Sequence, residues 1–361
     1  MASRSVSCRG RLPTVGGAVL LVLLETLGTA AFAGVPLGLP SVSDAKAAPA
    51  LVELGRQIFT ETRFSVDGTM SCATCHIPAR QFTDGRATAR GLGGRELTRK
   101  TPSLLNVRYQ TSLFWDGRAK DLATQVRTPL LGPAEHGLPN ELAVGEIVRG
   151  ASYATALARL THVPKNELSL REVSAALDAF EETLVAGNSS FDRYLYGHDL
   201  KAMTPAAVRG LALFRGRARC ASCHQIDESS ALLTDGEFHA SPLPIPESAL
   251  VQLGTLTEKV SGMRARGDVD GLNALVASDR DIAALGRFVV TLAPKDIGAF
   301  KTPSLRNVAL LGPYMHDGSI ALLPQAIELE LYSRTAQNYP LVLTEDERAD
   351  LLQFLEALTS R

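Results

Sequence analysis

The chain has few cysteines, no marked excess of charge and little strand-like alternation. Its 361 residues include five cysteines and one tryptophan, and 37 basic residues nearly balance 38 acidic ones. The near-neutral charge argues against nucleic acid as a partner. Scarce alternation of apolar and polar residues disfavours a β fold, and no segment beyond the N-terminal one resembles a membrane span. With 45% apolar residues, the chain is long enough for two ordinary cores.

The first 33 residues are typical of a secretory signal peptide. Three arginines precede an apolar stretch from Val15 to Leu27, and Ala31 to Ala33 form a small-x-small cleavage pattern. The apolar stretch contains Glu25 and is short for a bilayer span, which disfavours a retained anchor. Cleavage would remove Cys8 and leave 34 basic and 37 acidic residues, a net charge near −3.

The four remaining cysteines lie in two copies of one motif. Cys72-Ala-Thr-Cys75-His76 recurs as Cys220-Ala-Ser-Cys223-His224. Two thiols at this spacing reach the two vinyl groups of one porphyrin, and the adjoining histidine can bind the iron. A zinc site or a thioredoxin-like redox pair is disfavoured, because both copies have His directly after the second cysteine. The motifs predict two covalent haems c with His76 and His224 as iron ligands, and they leave no cysteine for a disulfide.

Helix signals dominate the rest of the chain. Apolar residues at helical spacing follow four N-cap patterns, which are Ser169-x-x-Glu172, Thr204-Pro205, Ser278-x-x-Asp281 and Thr344-x-x-Glu347. The predicted fold class is therefore mostly α, with two c-type cytochrome-like domains, each wrapped around one haem by long loops. A helix from Ser169 to Val185 and the polar stretch that follows it predict a domain boundary near residue 200. The predicted divisions are a signal peptide at 1–33, an N-terminal domain at 34–199 and a C-terminal domain at 200–361.

An internal repeat relates the two halves. Lys100-Thr-Pro-Ser-Leu-Leu-Asn-Val107 recurs as Lys301-Thr-Pro-Ser-Leu-Arg-Asn-Val308. Trp115-Asp-Gly117 and His316-Asp-Gly318 lie at the same offset, so the halves align there without a gap. Continued downstream, this alignment pairs Pro129 with Glu330. The second half carries an extra stretch between His224 and Lys301, to which spacing assigns no role.

Further motifs accompany the two cysteine motifs, namely Phe114-Trp-Asp-Gly-Arg118, Gly132-Pro-Ala-Glu135, Phe300-Lys-Thr-Pro-Ser-Leu-Arg-Asn307 and Pro313-Tyr-Met-His-Asp-Gly318. Together they resemble the bacterial di-haem cytochrome c peroxidase and MauG family over nearly the whole mature chain. The resemblance implies an N-terminal haem with an open face, where peroxide reacts. It also implies a C-terminal haem, usually six-coordinate, that relays or stores oxidising equivalents.

The resemblance also implies roles for three residues. Trp115 would lie between the haems as an electron relay, Glu135 would be the acid and base of the peroxide pocket, and Gln125 would orient the peroxide. The alternatives are structural, because a lone aromatic residue is most often core and a loop Glu is usually solvated. One carboxylate could take a proton from peroxide and return one to the leaving water, and burial would raise its pKa to suit this exchange.

The distal ligand of the second haem is expected to differ from the family pattern. By the resemblance, Pro129 and Glu330 occupy the slot that faces each haem's distal side. Proline cannot bind iron, so the first haem would be open, whereas Glu330 offers a carboxylate where peroxidases of the family carry Met and MauG carries Tyr. Tyr332, about 200° away around the same helix, and Met315 stay open as alternatives. An oxygen ligand would favour high-valent over ferrous iron.

Two further departures concern calcium and activation. Lys100 stands where the resemblance implies an Asn ligand of Ca²⁺, and a cation there would repel calcium. Calcium is therefore not expected, with Lys100 substituting for its charge; the alternative is that Lys100 points to solvent. The segment from Gly85 to Arg99 contains no His to match the distal histidine of many relatives, so the ferric protein is expected to react without prior reduction.

The resemblance implies a periplasmic di-haem peroxidase. It would reduce hydrogen peroxide to water through high-valent iron shared by both haems, with electrons from a small c-type cytochrome or a cupredoxin. One alternative is MauG-like oxidation of residues in a partner protein, and another is a non-enzymatic di-haem electron carrier or redox sensor. A homodimer is compatible with the resemblance, and no membrane span is expected after signal removal.

Overall fold

The computed structural model describes residues 35–41, 47–338 and 341–360. The predicted signal peptide lies outside these residues. Among the helices described, none has both the length and the apolar character needed to cross a membrane.

Regular structure in the described residues is mainly helical, which confirms the predicted mostly α class. The α-helices are α1 (Pro49–Phe59), α2 (Cys72–Cys75), α3 (Leu122–Leu131), α4 (Glu141–Arg149), α5 (Ala154–Thr161), α6 (Leu170–Glu181), α7 (Ser190–Leu195), α8 (Pro205–Arg215), α9 (Glu247–Val251), α10 (Leu253–Ala265), α11 (Val269–Ser278), α12 (Arg280–Ala284), α13 (Phe288–Thr291), α14 (Leu323–Asn338) and α15 (Glu345–Ala357). Two short strands, β1 (Phe238–Ala240) and β2 (Ala299–Lys301), pair antiparallel.

Two helix pairs repeat the same close crossing, α1 on α6 and α8 on α15. A Cβ added at Gly55 in α1 would lie 1.9 Å from the carbonyl oxygen of Ala176 in α6. A Cβ added at Gly210 in α8 would lie 2.0 Å from the carbonyl oxygen of Asp350 in α15. These are far inside van der Waals contact, so each crossing requires glycine. We call Gly55 and Gly210 the crossing glycines.

A buried apolar core surrounds each helix pair. The first core draws on residues from Leu54 to Leu184, and the second on residues from Phe191 to Leu358. A third core, from Ala249 to Val289, joins α9 to α13 within the extra stretch of the second half. The chain passes from the first core to the second between Leu184 and Phe191, and the domain boundary near residue 200 stays a prediction.

Two equivalent asparagines of the repeat form hydrogen bonds to the last residues of their own half. Asn106 and Asn307 both have left-handed backbone conformations. The backbone N–H of Asn106 donates to the carbonyl of Leu184 at 2.7 Å, and its side-chain amide donates to the carbonyl of Ala186. The backbone N–H of Asn307 donates to the carbonyl of Leu358, and its side-chain oxygen accepts from Ser360. The repeat found in the sequence is thus also a structural repeat.

Three of the four predicted helix starts are confirmed. Ser169 and Thr344 form capping boxes at the starts of α6 and α15, and the Thr204 hydroxyl caps α8. The prediction at Ser278 is wrong by one residue. Ser278 ends α11, and the carboxylate of Asp279 caps α12 by accepting from two of its backbone N–H groups.

The helix predicted from Ser169 to Val185 ends earlier, at Glu181. The chain then tightens into turns, in which the N–H of Leu184 donates to the carbonyl of Glu181 at 3.0 Å. Asn106 binds the backbone at Leu184 and Ala186, so the chain leaves the helix to meet a distant segment.

Candidate active site

The first cysteine motif forms a single helical turn, α2. Ser71 caps it in a capping box with Thr74, and the backbone N–H of His76 donates to the carbonyl of Cys72 at 2.8 Å. Cys72 and Cys75 are half-buried thiols that form no disulfide. One helical turn therefore holds both sulfurs and the imidazole in the arrangement that covalent haem attachment needs.

The His76 ring is oriented by a backbone carbonyl. Its Nδ1 lies 3.0 Å from the carbonyl oxygen of Phe82, to which only a protonated nitrogen can donate. The lone pair is then on Nε2, the nitrogen available to bind iron. Burial lowers the pKa of His76, which favours the neutral imidazole that a metal requires.

The second motif repeats this geometry. Cys220–Ser222 form a turn of 3₁₀-helix, and the Nδ1 of His224 lies 2.9 Å from the carbonyl oxygen of Leu233. Phe82 and Leu233 both have the unusual left-handed backbone conformation, with φ near +56°. Equivalent backbone carbonyls therefore orient the two histidines. Both motifs fit a covalent haem c, with the cysteines as attachment points and the histidines as iron ligands.

Trp115 and its repeat equivalent His316 join the two halves by crossed contacts. The backbone N–H of Lys301 donates to the carbonyl of Trp115 at 2.8 Å, and that of Lys100 donates to the carbonyl of His316 at 2.9 Å. The Trp115 indole N–H donates to the carbonyl of Lys100 at 2.9 Å. The half-buried indole is therefore fixed where the repeat segments of the two halves meet.

A buried cluster of charges follows Trp115 in the chain. The carboxylate of Asp116 is fully buried and accepts from Arg99 at 2.7 Å and from Arg118 at 3.0 Å. Burial opposes ionisation of Asp116, but the charges of Arg118 and Arg99 outweigh it and lower its pKa to about 2. The guanidinium of Arg118 also lies over the Phe114 ring, 3.7 Å from its centroid. Arg118 is thus held rigidly beside the pocket.

Glu135 lies in the turn after α3, close to the first cysteine motif. The carboxyl is half-buried, and burial raises its pKa while the charge of Arg118 acts against the rise. The proximity of Glu135 also contributes, after burial, to raising the pKa of the Cys75 thiol to about 12. The sequence alone predicts a raised pKa for this carboxyl, and the structure adds the opposing charge of Arg118.

The loop of residues 85–99 packs against the backbone of the Glu135 turn. The N–H of Leu92 donates to the carbonyl of Ala134 at 3.0 Å. A Cβ added at Gly91 would lie 1.8 Å from the same carbonyl oxygen. Ala89, Leu97 and Ala134 form a small buried cluster beneath this contact. The loop and the Glu135 turn are therefore closely packed together.

Gln125 and Pro129 lie one turn apart on α3, and both are half-buried. Because they are separated by four residues, their side chains lie on the same face of the helix. The carbonyl of Pro129 accepts from the N–H of His136 at 3.1 Å, in the turn that carries Glu135. The last turn of α3 therefore places Gln125 and Pro129 next to the turn that carries Glu135.

Glu330 lies on α14. It is half-buried, and Ala326 and Ile327 of the preceding turn are buried. Tyr332 is 73% exposed on another face of α14. Met315 is half-buried with φ +71° in the loop equivalent to Phe114. The choice of Glu330 over Tyr332 or Met315 as iron ligand stays a prediction.

Lys100 points inward and is 7% exposed. Its ammonium donates to the hydroxyl of Thr83 at 3.2 Å. Burial lowers the pKa of Lys100, and Asp84 acts in the opposite direction. The alternative in which Lys100 points to solvent is therefore wrong.

Two parts of the site were missed from the sequence. Arg118 stands in a motif that was recognised, but nothing local indicated its buried contact with Asp116. The carbonyls of Phe82 and Leu233 carry no side-chain signal, and only the Thr-Asp-Gly sequence that follows each of them, at residues 83–85 and 234–236, could have indicated them.

Comparison with known proteins gives consistent results. Residues 49–200 match the family model described as di-haem cytochrome c peroxidase. The chain is 34% identical over 316 residues to the methylamine utilization protein MauG of Methylorubrum extorquens, covering 86% of this chain and 78% of that protein. It is 32% identical over 373 residues to the cytochrome-c peroxidase IdrP1 of Denitromonas iodatirespirans, covering 97% and 92%.

A solved structure has a similar fold. The crystal structure of a MauG-like protein associated with microbial copper homeostasis aligns with a TM-score of 0.69 and 29% identity. The alignment covers 90% of this chain and 93% of that one.

Proposed function

Because this chain belongs to the di-haem cytochrome c peroxidase family, we propose that it reduces hydrogen peroxide to water with electrons from a small redox protein. Family membership makes it a di-haem peroxidase-type oxidoreductase. The observation that carries the specific reaction is Glu135, a half-buried carboxyl with a raised pKa beside Cys75 of the first haem motif.

The two haems c would be held by equivalent sets of side chains. Cys72 and Cys75 would attach the first, with His76 on its iron, and Cys220 and Cys223 would attach the second, with His224 on its iron. When bound, each haem supplies the iron through which electrons pass to peroxide. The carbonyls behind the two histidines keep Nε2 directed at the iron and increase the basicity of the ligand.

Glu135 handles the protons of the reaction. Ionised, it accepts a proton from the bound peroxide, and it returns that proton to the oxygen that leaves as water. Two electrons from the donor and two protons in total convert one peroxide into two waters. Burial raises the pKa of Glu135 towards the range in which it exchanges protons readily, and Arg118 limits the rise so that the base form stays available.

Residues on α3 would shape the peroxide side of the first haem. Gln125 offers an amide that can hydrogen-bond to peroxide and orient it. Pro129, one turn further, has no group that binds iron, so this face stays open to peroxide. Because the loop of residues 85–99 is pinned to the Glu135 turn by Gly91 and Leu92, the pocket needs no rearrangement, and the ferric protein would react as isolated.

Trp115 would carry electrons between the two haems. Its carbonyl and its indole N–H both bond to the repeat segments, at Lys301 and Lys100. The backbone of Trp115 is bonded to the second half and its indole N–H to the first, and this fixed position where the halves meet suits a relay.

Glu330 would be the distal ligand of the second haem, with Tyr332 and Met315 as alternatives. A carboxylate oxygen is a hard ligand that favours oxidised iron, so this haem would store oxidising equivalents rather than electrons. This favours a second candidate function, the oxidation of residues in a partner protein after the manner of MauG. The peroxide step at Glu135 would be the same in both.

Calcium would be unnecessary in this chain. The buried ammonium of Lys100, near Asp84 and bonded to Thr83, supplies a fixed positive charge where the family resemblance implied a Ca²⁺ ligand. A divalent cation close to it would be repelled.

The remaining assignments concern the cell and its partners. We propose a periplasmic protein, exported by the signal peptide at residues 1–33, with a domain boundary near residue 200. A small c-type cytochrome or a cupredoxin would return the electrons. A homodimer would be compatible with these roles.

The test is stopped-flow absorbance of the ferric holoprotein mixed with hydrogen peroxide. We expect rapid spectral changes at both haems without prior reduction, and steady consumption of peroxide when a reduced c-type cytochrome is added. Reaction only after addition of one electron would overturn the proposed ready state of the pocket. No reaction in either state would overturn the peroxidase and favour an electron carrier or redox sensor. Oxidation of a protein substrate in place of the cytochrome would favour the second function.

A further inference from the structure

Glu181, the last residue of α6, is a buried carboxyl outside the peroxide pocket. It is 4% exposed, and its Oε2 has no hydrogen-bond partner among the described residues. A polar oxygen buried without a partner destabilises the folded state. The peroxide chemistry at Glu135 makes no use of this group.

The fold does not require a carboxyl at this position. A Cβ added at the crossing glycine Gly55 would lie 2.7 Å from the Cβ of Phe180. A Cβ added at the other crossing glycine, Gly210, would lie 2.8 Å from the Cβ of Phe354. Phe180 and Phe354 are therefore equivalent, and so are the residues that follow them, Glu181 and Leu355. Leu355 is 6% exposed. The second half fills the same buried position with a leucine, at no polar cost.

Glu181 lies near the attachment point of the first haem, because Cys72 packs against the core that contains Leu177 and Phe180 of α6. Its charge contributes, after burial, to raising the pKa of Cys72, the residue that would bear the porphyrin. Burial raises the pKa of Glu181 itself to about 8, and Asp178, one turn earlier, adds to the rise. Asp178 is partly exposed at the surface, and partial burial of its carboxyl, followed by the charges of Glu182 and Asp121, raises its own pKa. Asp178 thus gives the buried carboxyl an acidic neighbour at the surface.

We propose that Glu181 is a proton-binding site coupled to the first haem, which takes up a proton when that haem gains an electron and releases it when the electron leaves. An external one-electron donor reduces ferric to ferrous iron, and one proton from water joins the Glu181 carboxylate. The added electron and proton cancel in charge, so the buried region keeps its net charge. An uncompensated charge would be costly there, because Coulomb energies are large in a medium of low polarity.

This inference rests on the proposed haem at Cys72 but not on peroxide turnover. The experiment is an optical redox titration of the intact holoprotein at several pH values from about pH 6 to about pH 9, which brackets the shifted titration. Wild type is compared with Glu181→Gln and Glu181→Leu. The second haem, with Leu355 at the equivalent position, is an internal control, and Glu182→Gln, at the half-buried neighbouring carboxyl, is a matched control.

In wild type we expect reduction of the first haem to become less favourable as pH rises. The equilibrium constant should fall by up to tenfold per pH unit, which lowers the reduction potential by about 59 mV. The dependence should disappear in both Glu181 variants and persist in Glu182→Gln. The second haem should show the same pH response in all four proteins. A first haem whose pH response in wild type equals that of the second, or one that keeps its slope in Glu181→Leu, would overturn the inference. Absence of covalent haem in wild type, seen in the haemochrome spectrum, would instead overturn the proposed function.

Thermal unfolding gives a second, independent readout. The pKa of Glu181 in the folded state is about 8, above the ordinary value of 4.5, so its stabilising contribution is present below that ordinary value and is lost as pH rises through about 8. The Tm of the Glu181→Leu holoprotein minus that of wild type should therefore increase as pH rises across this window. A Tm difference that does not change with pH would show that Glu181 does not titrate there.

Discussion

One substitution at Glu135 can remove proton transfer while leaving both haem attachment sites unchanged. Glu135→Gln keeps the shape of the side chain but cannot accept a proton. We expect kcat/KM for peroxide to fall about 10²–10⁴-fold, the usual contribution of a general acid–base group. In wild type the rate should rise with pH through the pKa of Glu135, which burial raises above 4.5, and this limb should vanish in the variant.

Stopped-flow rates measured across the pH range check this prediction. Glu146→Gln, an exposed carboxyl on α4, is the matched control and should behave as wild type. An unchanged peroxide rate in Glu135→Gln, with both haems attached, would remove Glu135 from its role.

The identity of the second haem's distal ligand can be read from its spectrum. Replacing Glu330 by Ala removes the carboxylate from α14, and we expect the absorption and EPR signals of the second haem to change while those of the first stay constant. Tyr332→Phe, at the exposed position on the same helix, should leave both haems unaltered. A spectrum that responds to Tyr332→Phe or to Met315→Leu instead would reassign the ligand.

The crossing glycines are the positions at which the helix pairs are most sensitive. Gly55→Ala or Gly210→Ala would force a methyl group against a backbone carbonyl that cannot give way, and we expect each to destabilise the protein by about 1–3 kcal/mol or more. Gly254→Ala in α10, where an added Cβ meets nothing within 4 Å, should instead be neutral or stabilise by up to about 1 kcal/mol.

Thermal unfolding of the three holoproteins distinguishes these outcomes. If Gly55→Ala unfolds at the same temperature as Gly254→Ala, the close approach of α1 and α6 is not what holds the first core together.

Helix starts could be predicted where one local pattern decides them. The Ser169 and Thr344 capping boxes are complete within four residues, so the sequence was sufficient. At Ser278 two adjacent residues could cap, and the carboxylate of Asp279 reaches two N–H groups, which the pattern could not weigh. The end of α6 was misplaced because Asn106, far away in the chain, binds the backbone that follows it.

The candidate site divides in the same way into a part that the sequence predicts locally and a part that depends on distant contacts. The proposed haem attachment depends on five adjacent residues, so each motif predicts it without help from the rest of the chain. The surroundings of Glu135 depend on contacts between distant segments, such as Leu92 with Ala134 and Arg118 with Asp116. Such contacts appear only when the loops are packed, and the sequence offers no periodicity from which to infer them.

The charge of Lys100, the first residue of the first repeat segment, bears on how the whole molecule responds to metal ions. Since its ammonium is buried beside Thr83, we expect chelation to leave the Tm, both haem spectra and peroxide turnover unchanged. Incubation of the holoprotein with a calcium chelator, followed by readdition of Ca²⁺, tests this. A loss of activity that Ca²⁺ restores would show that a calcium site persists despite Lys100.

We expect communication between the two halves to use the crossed contacts, because the backbone N–H at the start of each repeat segment, at Lys100 and at Lys301, donates to the other half. Lys301 bonds to Trp115 and Lys100 to His316 through backbone atoms, and these bonds survive any side-chain change. Only the indole N–H, which donates to Lys100, is a side-chain contribution. Trp115→Phe therefore keeps the junction and a similar ring while removing one bond and the most easily oxidised side chain.

In Trp115→Phe we expect the second haem to respond to peroxide more slowly, by about tenfold or more, which corresponds to about 1.4 kcal/mol of additional barrier. The first spectral change at the peroxide haem should keep its wild-type rate, since Glu135 and Gln125 are untouched. Stopped-flow traces recorded at wavelengths specific to each haem separate the two steps. Equal slowing of both would indicate a distorted pocket, and no slowing of either would mean that electrons cross between the halves without the indole, along the backbone junction that Lys100 and Lys301 form.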